Sequence, residues 1–172
     1  HMKEAKGGRI VNIASIGGRV AVPHLLPYCA SKFALVGLSN GLRAELRRYG
    51  IRVTTVCPGL MRTGSPRNAT FKGRREDELT WFTIGDSLPL LSISADRAAD
   101  RIVRALRRGT PRIDVSWVSR TAAAVEELMP NTVARLMMLV NTLLPAPLPK
   151  GDAEPVKGRE IRSRWVPSTL TR

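Results

Sequence analysis

Tyr28 and Lys32 stand four residues apart in Tyr28-Cys29-Ala30-Ser31-Lys32, and Ser15 lies thirteen residues before the tyrosine. On a helix, four residues make just over one turn, so the phenol and the ammonium project from the same face. A free phenol, with a pKa of about 10, is a poor base at neutral pH, and a nearby cation favours its ionised form. Each unit of lowering needs roughly 1.4 kcal/mol of preferential interaction with the anion, which one close, partly desolvated ammonium can supply. The pair therefore has the chemistry of an acid/base device. The plainer alternative is a half-buried aromatic beside a solvated charge.

The surrounding elements decide between these readings. Gly8-Arg9-Ile10-Val11-Asn12-Ile13-Ala14-Ser15 contains a short β-branched run that reads as a buried strand, with Ser15 at its end and Gly17-Gly18 as a breaker. Ile51 to Cys57 is a second strand, closed by Pro58-Gly59. Between them, Ala30 to Tyr49 carries helical periodicity at Ala34, Leu35, Leu38, Leu42 and Leu46, and Gly50 stands where helices end. Strand, loop, helix and strand make one βαβ unit, and ligands of such units bind outside the carboxyl ends of the strands. Ser15 and Pro58-Gly59 both fall at carboxyl ends.

Three motifs, Arg9 to Ser15, Tyr28 to Lys32 and Pro58-Gly59-Leu60-Met61-Arg62-Thr63, stand in an order and spacing that resemble the short-chain dehydrogenase/reductase superfamily. The likeness covers its C-terminal catalytic and substrate-binding half. It implies the C-terminal part of a Rossmann-like, doubly wound α/β fold, with about three parallel strands (near 9–14, 51–57 and 111–117) and flanking helices; beyond Trp117 the sequence leaves that pattern for a helical C-terminal extension. By resemblance, Tyr28 is the acid/base group and also contacts the cofactor, Lys32 holds the ribose hydroxyls of NAD or NADP and lowers the tyrosine pKa, and Ser15 hydrogen-bonds the substrate oxygen. Pro58, Gly59, Met61 and Thr63 would support the nicotinamide carboxamide. The implied reaction is hydride transfer between nicotinamide and a carbonyl or alcohol, with no metal.

Apolar Val20, Val22, Leu25 and Leu26 in the loop before the helix point to an apolar substrate. His24 in that loop reads as solvent-facing. The stretch 60–94 reads as irregular and matches the superfamily's substrate-covering lid. Trp81, Phe82, Leu88, Leu90 and Leu91 either line a pocket there or pack the lid onto the core. The organisation expected is a catalytic portion over 1–117, a helical extension over 118–149, and an extended or disordered tail over 150–172. Thr121 to Leu128 and Thr132 to Leu144 look helical. The second is apolar but too short for a membrane span, and reads as packing over the pocket or at a subunit interface, with membrane-surface docking the lesser alternative.

No glycine-rich phosphate-binding turn precedes Ser15, His1-Met2 looks like a cloning remnant, and Lys3 to Lys6 reads as the tail of a helix. The expectation is a piece of a longer enzyme: inactive by itself, marginally stable, with its first strand's edge unpaired. The alternative function is a non-catalytic fragment or interaction module that binds no dinucleotide. Formal charge is +14 over 172 residues, and Arg outnumbers Lys 22 to 6. Residues 1–117 carry 20 basic and 9 acidic groups against 8 and 5 in 118–172, dispersed and with little aromatic interleaving. That pattern argues against nucleic acid as the partner. The face Arg97, Arg101, Arg104 and Arg108 reads as the solvated side of a helix whose apolar side is Ala99, Ile102, Val103 and Leu106. Cys29 and Cys57 are too few for a disulfide framework or a metal site. A cytoplasmic homo-oligomer formed through the helix 30–49 face completes the expectation.

Overall fold

The computed structural model describes residues 1–63, 65–87, 92–146 and 154–161, so Leu88, Leu90 and Leu91 lie outside the described residues. In chain order the elements are β1 (Gly8–Ile13), α1 (Leu26–Leu46), β2 (Ile51–Cys57), β3 (Leu60–Arg62), α2 (Ser65–Asn68), β4 (Thr70–Phe71), α3 (Arg75–Ser87), β5 (Ser92–Ser94), α4 (Ala95–Arg108), β6 (Arg112–Asp114), α5 (Trp117–Leu128), α6 (Pro130–Leu143) and β7 (Val156–Lys157). They fall into two compact units, one of residues 1–59 and 96–137, the other of 60–95 and 138–172.

The first unit is a three-stranded parallel sheet in the order β1-β2-β6. Its register runs from Gly8 opposite Ile51 to Ile13 opposite Val56, then from Thr55 opposite Arg112 to Cys57 opposite Asp114. This α/β architecture of parallel strands and flanking helices is the one expected. β2 is central, and Ile51, Val53, Thr54, Thr55, Val56 and Cys57 are all buried, as a parallel strand covered on both faces requires. Among the described residues β1 pairs with β2 alone, and Ile13 is 47 % exposed.

α1 begins at Leu26, with Pro27 in its first turn, where a missing N–H breaks no helical bond. Tyr28 is therefore already helical. The chain leaves the helix through Gly50 at φ 71°, and a Cβ there would also lie 2.5 Å from the Lys6 carbonyl oxygen. Asn12 on β1 donates through Nδ2 to Ser39 Oγ (2.9 Å), and that hydroxyl donates to the Leu35 carbonyl (2.6 Å). Ser39 is fully buried, so Ser39→Ala leaves the Asn12 amide short of its acceptor. A loss of about 1–3 kcal/mol is expected, read as a lower urea midpoint with unchanged slope.

Several local expectations change. Residues 2–6 form a hydrogen-bonded turn, with Ala5 N–H on His1 O and Gly7 N–H on Met2 O, rather than a helix tail. α4 buries Ala98 and Ala105, while Val103 is 44 % exposed: the small alanines, rather than Ala99 and Val103, take the inward stripe. β6 ends at Asp114 instead of running to Trp117. Ser116 caps α5 there, its Oγ accepting from Ser119 N–H (3.1 Å) while Ser119 Oγ accepts from Ser116 N–H (3.1 Å).

The second unit is less irregular than its glycines and prolines suggest. α3 places Glu76, Asp77 and Glu78 in its first turn, where acidic groups favour the helix dipole, and buries Leu79 and Thr83 four residues apart. β3 pairs in parallel with β5, and β4 pairs antiparallel with β7, so part of the expected tail is an ordered strand. A Cβ at Gly158 would lie 2.0 Å from the Pro66 carbonyl oxygen, which seats that segment against α2. Phe82 meets Phe71 edge-on at 6.1 Å, favouring packing for that ring, whereas Trp81 is 49 % exposed. Among the described residues, no helix is long and apolar enough to cross a membrane.

Candidate active site

Ser15 is held from both sides. Ala14 N–H donates to the Val56 carbonyl (2.8 Å) and Ile16 N–H to the Pro58 carbonyl (2.7 Å), so the backbone flanking Ser15 is hydrogen-bonded to the carboxyl end of β2. Its conformation is extended, φ −167° and ψ 165°, and its Oγ accepts from Gly17 N–H at 3.1 Å as the chain turns through residues 16–18. The hydroxyl hydrogen of Ser15 has no acceptor among the described residues.

Gly17 and Gly18 then let that turn approach α1. A Cβ at Gly17 would lie 3.1 Å from Cε1 of Tyr28, and one at Gly18 would lie 2.6 Å from the carbonyl oxygen of Lys32. The sequence marks these glycines only as a breaker; packed, they set how close the serine loop comes to the tyrosine helix. Arg19 ties down the far end of the turn. It is buried, with Nη2 on Glu127 of α5 at 2.6 Å and Nη1 at 3.8 Å from Asp114 at the end of β6. Burial pushes the Asp114 carboxyl above its ordinary value, and Arg19 and Arg112 pull it partly back.

On α1, the Lys32 ammonium donates to the carbonyl of Ile13, the last residue of β1, at 3.2 Å, and lies 5.6 Å from the centroid of the Tyr28 ring. Two of its three hydrogens have no partner among the described residues. Tyr28 is 44 % exposed. Ser15, Tyr28, Lys32 and Pro58 thus gather at the carboxyl ends of β1 and β2.

Gly59 faces elsewhere: a Cβ there would sit 3.0 Å from Ser116 Oγ and 3.3 Å from Ser119 Cβ, so its missing side chain makes room for the capped start of α5. Met61 and Thr63 belong to the second unit, where Met61 lies in β3 and Thr63 Oγ1 is 2.6 Å from Ser65 Oγ. In the loop before α1, Val20 is buried and Val22 half-buried, while Leu25 and Leu26 are 40 % and 64 % exposed. His24 is exposed and adopts a positive φ of 65°.

A parallel sheet with a serine, a tyrosine and a lysine collected beyond its strand ends defines a Rossmann-like α/β protein. Comparison with known proteins narrows this. Residues 1–72 match the short chain dehydrogenase family. SadH of Mycobacterium tuberculosis, described as an oxidoreductase, is 34 % identical over 139 residues, 80 % of this chain and 50 % of SadH. Human dehydrogenase/reductase SDR family member 7 is 49 % identical over 70 residues, 40 % of this chain and 21 % of that protein. A short chain dehydrogenase from Burkholderia cenocepacia, solved in complex with NADP, superposes with a TM-score of 0.60 at 25 % identity, covering 80 % of this chain and 49 % of that one. Over the matched residues the chain is similar to members of the short-chain dehydrogenase/reductase superfamily. It spans half or less of the length of these relatives.

Proposed function

We propose that these residues are the catalytic and substrate-binding part of an NAD(P)-dependent oxidoreductase that interconverts a carbonyl and an alcohol. The observation that carries the reading is the double anchoring of one rim: Lys32 on the Ile13 carbonyl, and the Ser15 loop pressed by Gly17 and Gly18 onto the helix bearing Tyr28. The unpaired donors there, two on Lys32 and the hydroxyl of Ser15, fit the hydroxyl-rich ribose and the substrate oxygen respectively. The dinucleotide, when bound, supplies or accepts the hydride at the substrate carbon. Tyr28 gives its phenolic proton to the carbonyl oxygen, or takes one from the alcohol in the reverse direction. The Lys32 charge steadies the phenol oxygen as its proton leaves, while the Ser15 hydroxyl donates to the same substrate oxygen and fixes its position. Exposed Leu25 and Leu26, beside Tyr28 in sequence, favour an apolar substrate.

Phe33 and Leu38 on α1 are 43 % and 57 % exposed, and a second copy of the chain packing there is the partner this reading implies. In the full-length protein, Ser15→Ala is expected to lower kcat for carbonyl reduction by roughly a hundredfold, with cofactor affinity unchanged. Undiminished turnover would remove Ser15 from the chemistry. Because the chain spans about half or less of the length of the relatives it matches, the rival reading is that these 172 residues bind no dinucleotide by themselves. Calorimetric titration of NAD(H) and NADP(H) into this chain and into the full-length protein separates the two. Binding to both favours the enzyme reading for the chain alone, and binding to the longer protein only favours the fragment.

A further inference from the structure

The arginine face of α4 is not simply solvated. Arg101, Arg104 and Arg108, three and four residues apart, line one wall of a cleft of about 480 Å³, within the size range of small-molecule sites. Arg112 of β6 and Arg120 of α5 line it as well, and Trp117, 64 % exposed, adds an apolar surface. Five guanidinium groups thus share one concavity with a single carboxylate, Asp114, and that carboxylate is paired with Arg19.

The internal partners do not use up this charge. Arg101 donates to the Val115 carbonyl, and Arg112 lies 3.5 Å from a Glu127 oxygen that also takes Arg19 at 2.6 Å. Arg104 and Arg108 have no hydrogen-bond or ion-pair partner among the described residues. The excess is felt nearby: burial first, and the charge of Arg112 second, push Arg43 below the usual arginine value. A surface that only needed solubility would spread these charges. Here they converge on a cleft, with the guanidinium of Arg101 tied to the backbone at its rim.

We propose that this cleft binds a phosphorylated small molecule carrying two or three negative charges, its phosphates held by Arg104, Arg108 and Arg120 and its organic part lying against Trp117. Planar, multidentate guanidinium groups match phosphate oxygens, and several of them converging favours a diphosphate-like group over a single carboxylate. None of Ser15, Tyr28 and Lys32 lines the cleft, so the inference stands apart from the proposed hydride chemistry. The competing explanation is that the arginines only guard the edge of β6 that is unpaired among the described residues, which needs charge but no ligand.

The test is calorimetric titration of inorganic pyrophosphate into the 172-residue chain and into two double variants. Arg104→Gln with Arg108→Gln removes two guanidinium groups that hold nothing in the fold. Arg47→Gln with Arg48→Gln removes two exposed ones at the end of α1. The expected result is stoichiometric binding that weakens about tenfold or more in the first variant and stays within about twofold in the second. Equal loss in both, no binding to the parent chain, or tighter capture of a duplex oligonucleotide with equal loss in both, would reduce the cleft to diffuse charge and overturn the site. A measurement that needs no variant is phenylglyoxal modification mapped by mass spectrometry. Pyrophosphate should protect Arg104, Arg108 and Arg120 and leave Arg47 and Arg48 reactive, whereas uniform protection or none rejects the proposal.

Discussion

In the full-length protein, Tyr28→Phe is expected to lower kcat for carbonyl reduction by roughly a hundredfold to ten-thousandfold, the range for loss of a positioned general acid. The substitution deletes one oxygen and keeps the ring. That ring is what Gly17 packs against and what Lys32 lies 5.6 Å from, so the loop and the lysine should stay where they are. Tyr28 is 44 % exposed and its hydroxyl makes no hydrogen bond among the described residues, so thermal stability should move by no more than about 0.5 kcal/mol. Cofactor affinity should hold within about twofold, because on the proposed reading the donors facing the ribose are chiefly those of Lys32. The informative pattern is a collapse of kcat with stability and cofactor binding intact. Turnover equal to the parent would show that proton transfer runs through some other group.

Gly18→Ala should do something different. Its new methyl would meet the Lys32 carbonyl oxygen at 2.6 Å, the carbonyl carbon at 2.8 Å and Val36 Cγ2 at 3.1 Å. Two of these atoms are helix backbone and cannot turn aside as a side chain tip can. The turn must therefore lift from α1, at an overpacking cost of about 1–3 kcal/mol. Two readouts follow. Alkylation of Cys29 and Cys57, both buried, should accelerate as the folded state weakens. Burial also pushes the Cys57 thiol up, so it stays protonated and slow to react until the chain opens. In the full-length protein, activity should fall by more than the lost folded fraction explains, since a displacement of about 1 Å at a catalytic group can cost about a hundredfold. Gly17→Ala is the contrast, because its methyl meets the edge of an exposed tyrosine ring at 3.1 Å and that ring can give. Alkylation as slow as in the parent chain, together with full activity, would mean that the glycine contact positions nothing.

Much of the site was legible because its logic is local. Four residues on a helix bring Tyr28 and Lys32 to one face wherever the helix lies. The β-branched run before Ser15 and the one before Pro58 mark two strand ends, and Gly50 marks the end of the helix between them. The parallel order of β1, β2 and β6 follows from that alternation, since parallel neighbours need a crossover. Boundaries were less legible. Helical periodicity is clear only from Ala30, yet the first turn of a helix tolerates proline, so α1 starts at Leu26 with Pro27 inside it. Ser116 and Ser119 cap each other and end β6 early, because a reciprocal cap satisfies backbone donors that a strand continuation would have left to the sheet.

What the amino-acid order determined by itself is the chemical inventory and its spacing: a phenol, an ammonium and a hydroxyl at the ends of two parallel strands. The tertiary structure alone decided how closely they meet. Gly17 and Gly18 carry no signal of the surface they will press against, because a steric contact eleven or fourteen residues away depends on how loop and helix pack. The arginines of α4 are periodic in sequence whether they face water or a cleft. Only the placement of β6 and the start of α5 opposite them concentrates that charge, for a helix fixes the relative angles of its side chains but not what stands across from them.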